Sequence, residues 1–179
     1  AQHTAVQAET KNVDVNVAGQ VSAGKGGAGL AVAFNHLNNA TQAHVLGTSI
    51  KGNAHDVTVA AANSGTTVSV AAAVSGGSKA AVAGALALTQ GKDTTLAGIG
   101  ESESTNRRSR LENVNRVTVD AKDSTTKVAV AGGLSGAGTA AVGGGIAYNQ
   151  VGGVGYQTME AFLNDTDITT RGYKSAIRV

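Results

Sequence analysis

Cysteine, proline and tryptophan are missing from this chain of 179 residues, and aromatic residues make up only 3% of it. Without cysteine there are no disulfides, no zinc–thiolate centres and no thiol catalysis. With so few large side chains a thick globular core is excluded on volume. Interiors reach crystal-like density with bulky residues or with backbones brought close together, and a thin, layered β-structure is the second solution. Charge is also scarce, at 15% of residues with a formal net charge of +2, which leaves no electrostatic footprint for nucleic acid. No run is long enough for a membrane-spanning helix, and no signal peptide opens the chain. The sequence starts at Ala1, in mid-pattern, and reads as a fragment of a longer protein.

What the chain has instead is glycine, 25 residues of it, together with alanine and valine in a repeating order. The stretch DVTVAAANSGTTVSVAAAVSGGSKAAVAGALALTQ, Asp56 to Gln90, returns sixty positions later as RVTVDAKDSTTKVAVAGGLSGAGTAAVGGGIAYNQ, Arg116 to Gln150, without a gap. Val57, Val59, Val68, Val70, Val74 and Val82 meet Val117, Val119, Val128, Val130, Leu134 and Val142. An earlier copy, Val13 to Asn35, follows the same order with one residue fewer in its turn; Val15, Val17 and Val21 stand where Val68, Val70 and Val74 stand. A looser element follows each copy: Ala43, Val45, Thr48 and Ile50 match Ala161, Leu163, Thr166 and Ile168, with Ala97 and Ile99 between them. Repetition on this scale is the mark of a stacked architecture in which each copy covers its neighbour.

Within each copy apolar residues alternate, as in Val57, Val59, Ala61 and in Val68, Val70, Ala72, Val74. Alternation by two in Val- and Thr-rich sequence predicts strands. The runs AAVAGALAL and AAVGGGIAY are apolar at both parities, which predicts strands covered on both sides; their alanines favour helix, but the β-branched residues and Gly143 to Gly145 argue against it. The segments SAGKGG, SGGSKA and SGAGTA between strands read as turns, with glycine supplying positive φ. The expected fold class is all-β: a repetitive right-handed β-solenoid with copies of about sixty residues, approximately 1–55, 56–115 and 116–179, forming a single segment. Its end copies would be prone to edge pairing, and so to self-association.

Several short motifs invite chemistry and do not sustain it. GQVSAGKGG, Gly19 to Gly27, approaches a phosphate-binding loop, but Gly26 replaces the Ser or Thr that holds magnesium and a strand-like run follows where a helix is needed. Lys25 then reads as a solvent-facing charge on a glycine turn. No calcium-binding Gly-Gly-x-Gly-x-Asp nonapeptide occurs, and Asp165, Asp167 and Glu160 are too few for a calcium shell. His3, His36, His44 and His55 lack metal-ligand spacing. No catalytic, metal or cofactor site is expected, and no enzyme activity. The densest basic group, Arg107, Arg108 and Arg110, falls in one polar insertion and supplies the candidate exposed contacts. The sequons at Asn39 and Asn164 read as glycan acceptors or as Asn and Thr ladders between copies.

The order VTV-A, VAVA, SGAG, AAVGGGIAYN followed by T-x-A-x-Ile/Val/Leu resembles the repeats of giant bacterial exoproteins, the filamentous-haemagglutinin-like and leukotoxin-like proteins of type V secretion. The similarity runs from Val13 to Val179. It implies a long solenoid at or beyond the outer membrane, secreted or displayed on the bacterial surface. Its partner would be a receptor on host or neighbouring cells, with no nucleic acid or nucleotide ligand and with the outer membrane met only through the longer parent protein. It implies an adhesive or structural role, with a leukotoxin-like toxin as the alternative. No hydrophobic insertion segment is evident. An ice-binding solenoid would need a longer Thr ladder than Thr58 and Thr118, and a trimeric adhesin head would repeat at about fourteen residues.

Overall fold

The computed structural model describes residues 2–151, 157–172 and 175–179, and among these the chain is all strand and connection, with no helix. The strands are β1 (His3–Leu46), β2 (Ser49–Gly100), β3 (Ser109–Ala137), β4 (Ala140–Gln150), β5 (Gln157–Leu163), β6 (Thr166–Thr170) and β7 (Ala176–Arg178). They form one parallel sheet system. At about 3.3 Å per residue a strand as long as β1 would exceed roughly 100 Å if straight. β1 instead doubles back at Gly24–Gly26, so that Asn16 Nδ2 donates to the Phe34 carbonyl at 2.7 Å.

Each doubled strand lies in register on the next copy. β1 pairs with β2 from His3↔Asp56 to Leu46↔Gly100, with one shift between Gly24 and Gly26, where β1 has the shorter turn. β2 pairs with β3 through Val57↔Val117, with β4 through Val82↔Val142 and with β5 through Ala97↔Ala161. β3 pairs with β6 and β7. The observed partners are those that the sequence repeat equates, including the ladder Phe34, Leu88, Tyr148.

Each copy has two parts. At its base, three runs enclose an apolar core. The end of the return arm contributes Ala43, Val45, Ala97 and Ile99; the short corner contributes Leu111 and Val114; the start of the next outgoing arm contributes Val57, Val59, Val117 and Val119. The corner bends at a register shift between Glu112 and Val114, with Asn113 between them at φ 56°, a conformation asparagine tolerates better than most residues. Beyond the base the outgoing and return arms face one another as a flat fin. Its core is alanine: Ala31, Ala33, Ala71, Ala73, Ala83, Ala85 and Ala87.

The two parts use opposite choices of side-chain size. Val57 and Val59 point inward, whereas after the Asn63–Thr66 segment Thr67, Ser69, Ala71, Ala73 and Ser75 point inward and the larger Val68, Val70 and Val74 point out. The return arm does the same: Ala81 to Ala87 are inward at odd positions, and Val82, Leu86 and Leu88 lie on the outer face. The runs AAVAGALAL and AAVGGGIAY are therefore not covered on both sides, since Val82, Val142 and Ile146 are all more than half exposed. The cause is closeness of the two arms. A Cβ added at Gly143 would lie 2.6 Å from the Gly133 carbonyl oxygen, one at Gly145 would meet the Ala131 carbonyl at 2.5 Å, and one at Gly27 would run into that of Gly76. At the reversals Gly27, Gly77 and Gly138 serve this approach while Gly26, Gly76 and Gly136 face open space, and the expected positive φ is found among the described glycines at Gly47 instead.

This inversion is measurable. Val59→Ala, in the base core, should lower unfolding free energy by about 2 kcal/mol through lost burial and a cavity. Val130→Ala, on the fin's outer face, should cost less than about 0.5 kcal/mol in water. Urea denaturation of the two variants checks the pair, and equal losses would contradict the inward–outward assignment.

Candidate functional site

Three places carry unusual side-chain chemistry: the arginine loop, a buried polar layer between base and fin, and the outer faces of the fin. The loop runs between β2 and β3. It is closed at its neck by Ser109, whose hydroxyl donates to the Gly100 carbonyl at 2.7 Å, and by the backbone pair Ser102 N–H to Arg107 O at 2.9 Å. Gly47 must be glycine here, because a Cβ at its φ of 58° would lie 2.7 Å from Ser102 Cβ. Arg107, Arg108 and Arg110 are all exposed, but only the first two stand in the loop where all three were expected; Arg110 lies on β3, in register with Ser49 and Asp167. They do not converge on one point: Arg108 reaches Asp165 at 3.4 Å and Arg110 reaches Glu112 at 3.2 Å, with Lys51 also on Glu112 at 3.4 Å. Exposed pairs of this kind contribute little to stability.

The polar layer was not foreseen from the sequence. Lys127 and Asp93 form a buried ion pair of 2.8 Å across neighbouring copies. Asn39 donates to the other Asp93 oxygen at 3.0 Å, Thr125 reaches Asp93 at 3.3 Å, and Lys127 also donates to the Gly91 carbonyl. Beside them Asn63 and Thr95 donate to Asp123, at 3.0 and 3.3 Å. Oδ1 of Asn63 and Oδ1 of Asp123 are buried without a donor among the described residues, at a cost of roughly 1–3 kcal/mol each. Asn39 therefore spends its amide on Asp93, the ladder reading of its sequon, whereas Asn164 is exposed at a strand end. The Asp93–Lys127 pair at its centre is sealed from solvent, with Asn39, Asp123 and Thr125 half-buried around it, and the layer's chemistry is that of a positional lock. The signal that could have revealed it is the repeat itself, which sets Asn39 on Asp93 and Asn63 on Asp123.

The fin's outer faces are the largest feature. On the outgoing face the ladders are Val15–Val68–Val128, Val17–Val70–Val130, Gly19–Ala72–Gly132 and Val21–Val74–Leu134. On the return face they are Ala28–Val82–Val142, Leu30–Gly84–Gly144, Val32–Leu86–Ile146 and Phe34–Leu88–Tyr148. No charged side chain occupies any of these positions. Val21 is 80% exposed, Leu134 72% and Leu30 68%. Lys25, in the near phosphate loop, and Lys79 are exposed at the fin's tip.

The remaining candidates are scattered. His36 stacks on Phe34, His44 lies 5.6 Å from the Phe162 ring, and buried His55 shares a hydrogen bond with Thr4. Asp165, Asp167 and Glu160 are exposed, and the first is held by Arg108. No family model, curated protein or solved structure matches the chain.

Removing half of the buried pair should expose its role. Lys127→Met leaves the Asp93 carboxylate buried without its countercharge and should destabilise the fold by about 3–5 kcal/mol. Adding Asp93→Asn to that variant should recover most of the loss. Chemical denaturation of the single and double variants checks this, and an unrecovered loss would mean that packing of the lysine stem, not charge, is what matters.

Proposed function

We propose that this chain is a segment of a right-handed β-solenoid, and that it serves a structural and adhesive role in a protein secreted by, or displayed on, a bacterium. The carrying observation is the in-register parallel pairing of equivalent positions through successive copies, as in Val57↔Val117 and Val82↔Val142, interrupted only at turns and corners. A stack of this kind grows by adding copies, keeps its outer faces constant along its length and tolerates insertions only in loops. Those are the properties of a stalk that presents surfaces at a distance. The resemblance of the repeat order to filamentous-haemagglutinin-like exoproteins supports the same reading, and the arginine loop is the insertion best placed to vary between binding specificities.

A second reading, part of a leukotoxin-like toxin, has one observation on its side: the exposed apolar faces of the fin. The two are separated with the labelled 179-residue chain on mammalian and bacterial cells. Saturable surface retention, competed by unlabelled chain and without release of cytosolic enzyme, is the expected result. Lysis without retention would overturn the adhesive reading.

A further inference from the structure

The fin is built inside out. Its inward positions hold nothing apolar larger than alanine and several hydroxyl and amide groups, among them Asn35, Thr67, Ser69, Ser75 and Thr89. Its outward positions hold the valines, leucines, isoleucine and aromatics described above. A protein folded for water puts the large apolar side chains inside; strands that face lipid put them outside, over a small or polar interior. No helix among the described residues is long and apolar enough to cross a membrane, but strands cross by alternation.

Three further observations select lipid over a protein partner. Both faces of the fin are apolar, whereas a docked protein covers one. The band from Val15 to Val21 is seven residues, about 23 Å in extended chain, close to the roughly 25 Å apolar band of strand-built membrane proteins. Its ends are graded: His36, Gln90 and Gln150 follow the ladder Phe34–Leu88–Tyr148, aromatic at its two outer positions, toward the base, and Gly, Ser, Lys25 and Lys79 cap the tip. Aromatics at the margin and cations beyond it suit the two sides of a bilayer.

We propose that the fin inserts into a lipid bilayer, with its two outer faces in hydrocarbon and its lysine tip at the far headgroups. The inference rests on the stacked reading given above, because only stacked copies line these side chains into bands. The inserted fin is solid: the carbonyl contacts across Gly133, Gly143 and Gly145 leave no lumen, so it anchors without opening a pore. Because hydrocarbon does not tolerate an open strand edge, the 179-residue chain taken alone must pair its edges on insertion, β1 of one molecule against β3 and β4 of another.

The chain's lack of cysteine makes the test direct. The full 179-residue protein, with a single Val130→Cys or Ser104→Cys carrying an environment-sensitive dye, is mixed with phosphatidylcholine vesicles or with vesicles containing phosphatidylglycerol. Expected are flotation with both lipids, a blue shift at position 130 and none at 104, multimers on crosslinking only with vesicles, and no release of trapped dye. Val70→Arg with Val130→Arg, both outward, should keep the far-ultraviolet strand spectrum and lower flotation at least tenfold. A folded chain that fails to float, binds only anionic vesicles and is released by salt, stays monomeric on the vesicle, or assembles in water through the valine faces overturns the insertion while leaving the stacked architecture standing. Dye release overturns the solid fin. Loss of the strand spectrum in the unaltered chain would instead remove the architecture, and the inference with it.

Discussion

Everything in this molecule depends on the parallel backbone ladder that joins each copy to the next. A parallel ladder repeats every position on itself, so the side chain at any site must be compatible with the same site one copy away, about 4.8 Å distant. Valine on valine and leucine on isoleucine satisfy that with dispersion contacts. Polar positions satisfy it only by pairing donor with acceptor, as Asn39 does with Asp93, Asn63 with Asp123 and Gln90 with Gln150. The same demand explains where variation is allowed. The eight-residue excursion between Gly100 and Ser109 leaves the ladder and rejoins it at once, its neck bonded by the buried Ser109 hydroxyl.

The second constraint is the separation of the two arms. At the base three runs diverge enough to enclose Val59, Ile99 and Leu111, each fully buried; such side chains contribute on the order of 1.5–3 kcal/mol apiece. Toward the tip the arms close until glycine, alanine and small polar side chains fill the space between them, with Asn16, Gln20 and Asn35 the largest. The polar layer at Asp93 and Lys127 sits at this transition. A buried ion pair is a poor source of stability and a good source of specificity. Here it ties one arm of a copy to the opposite arm of the next, with hydrogen bonds that a one-residue slip would break.

Much of the fold was legible in the sequence because repetition is a direct record of stacking. The equivalences of Val15, Val68 and Val128, the shorter first turn, and the position of the arginine insertion all follow from alignment of the chain with itself. Which face of a strand is buried did not follow. Alternation fixes that Val68, Val70 and Val74 share a face, but not whether the face is inner or outer, and the usual rule that large apolar residues go inside gives the wrong answer for the fin. The information lay in the partner parity: Ala71, Ala73, Ala83 and Ala85 are too small to sit outside such valines by accident. The polar layer was hidden for a different reason. Asp93 and Lys127 are 34 positions apart, a spacing that is neither the repeat nor a local motif.

The inversion of the fin also bears on the choice between an adhesive stalk and a toxin. Exposed hydrophobic surface is ordinarily taken to favour membrane attack, yet permeabilisation requires a path for water, and a path requires an interior that is open or polar throughout. The fin's interior is neither. Its arms touch through backbone at Gly133, Gly143 and Gly145, and its core layer is buried alanine. A structure that meets lipid on both outer faces while closing its own middle holds on to a membrane without perforating it. On that argument the apolar faces do not by themselves favour the toxin reading, because a closed fin that met lipid would attach without perforating.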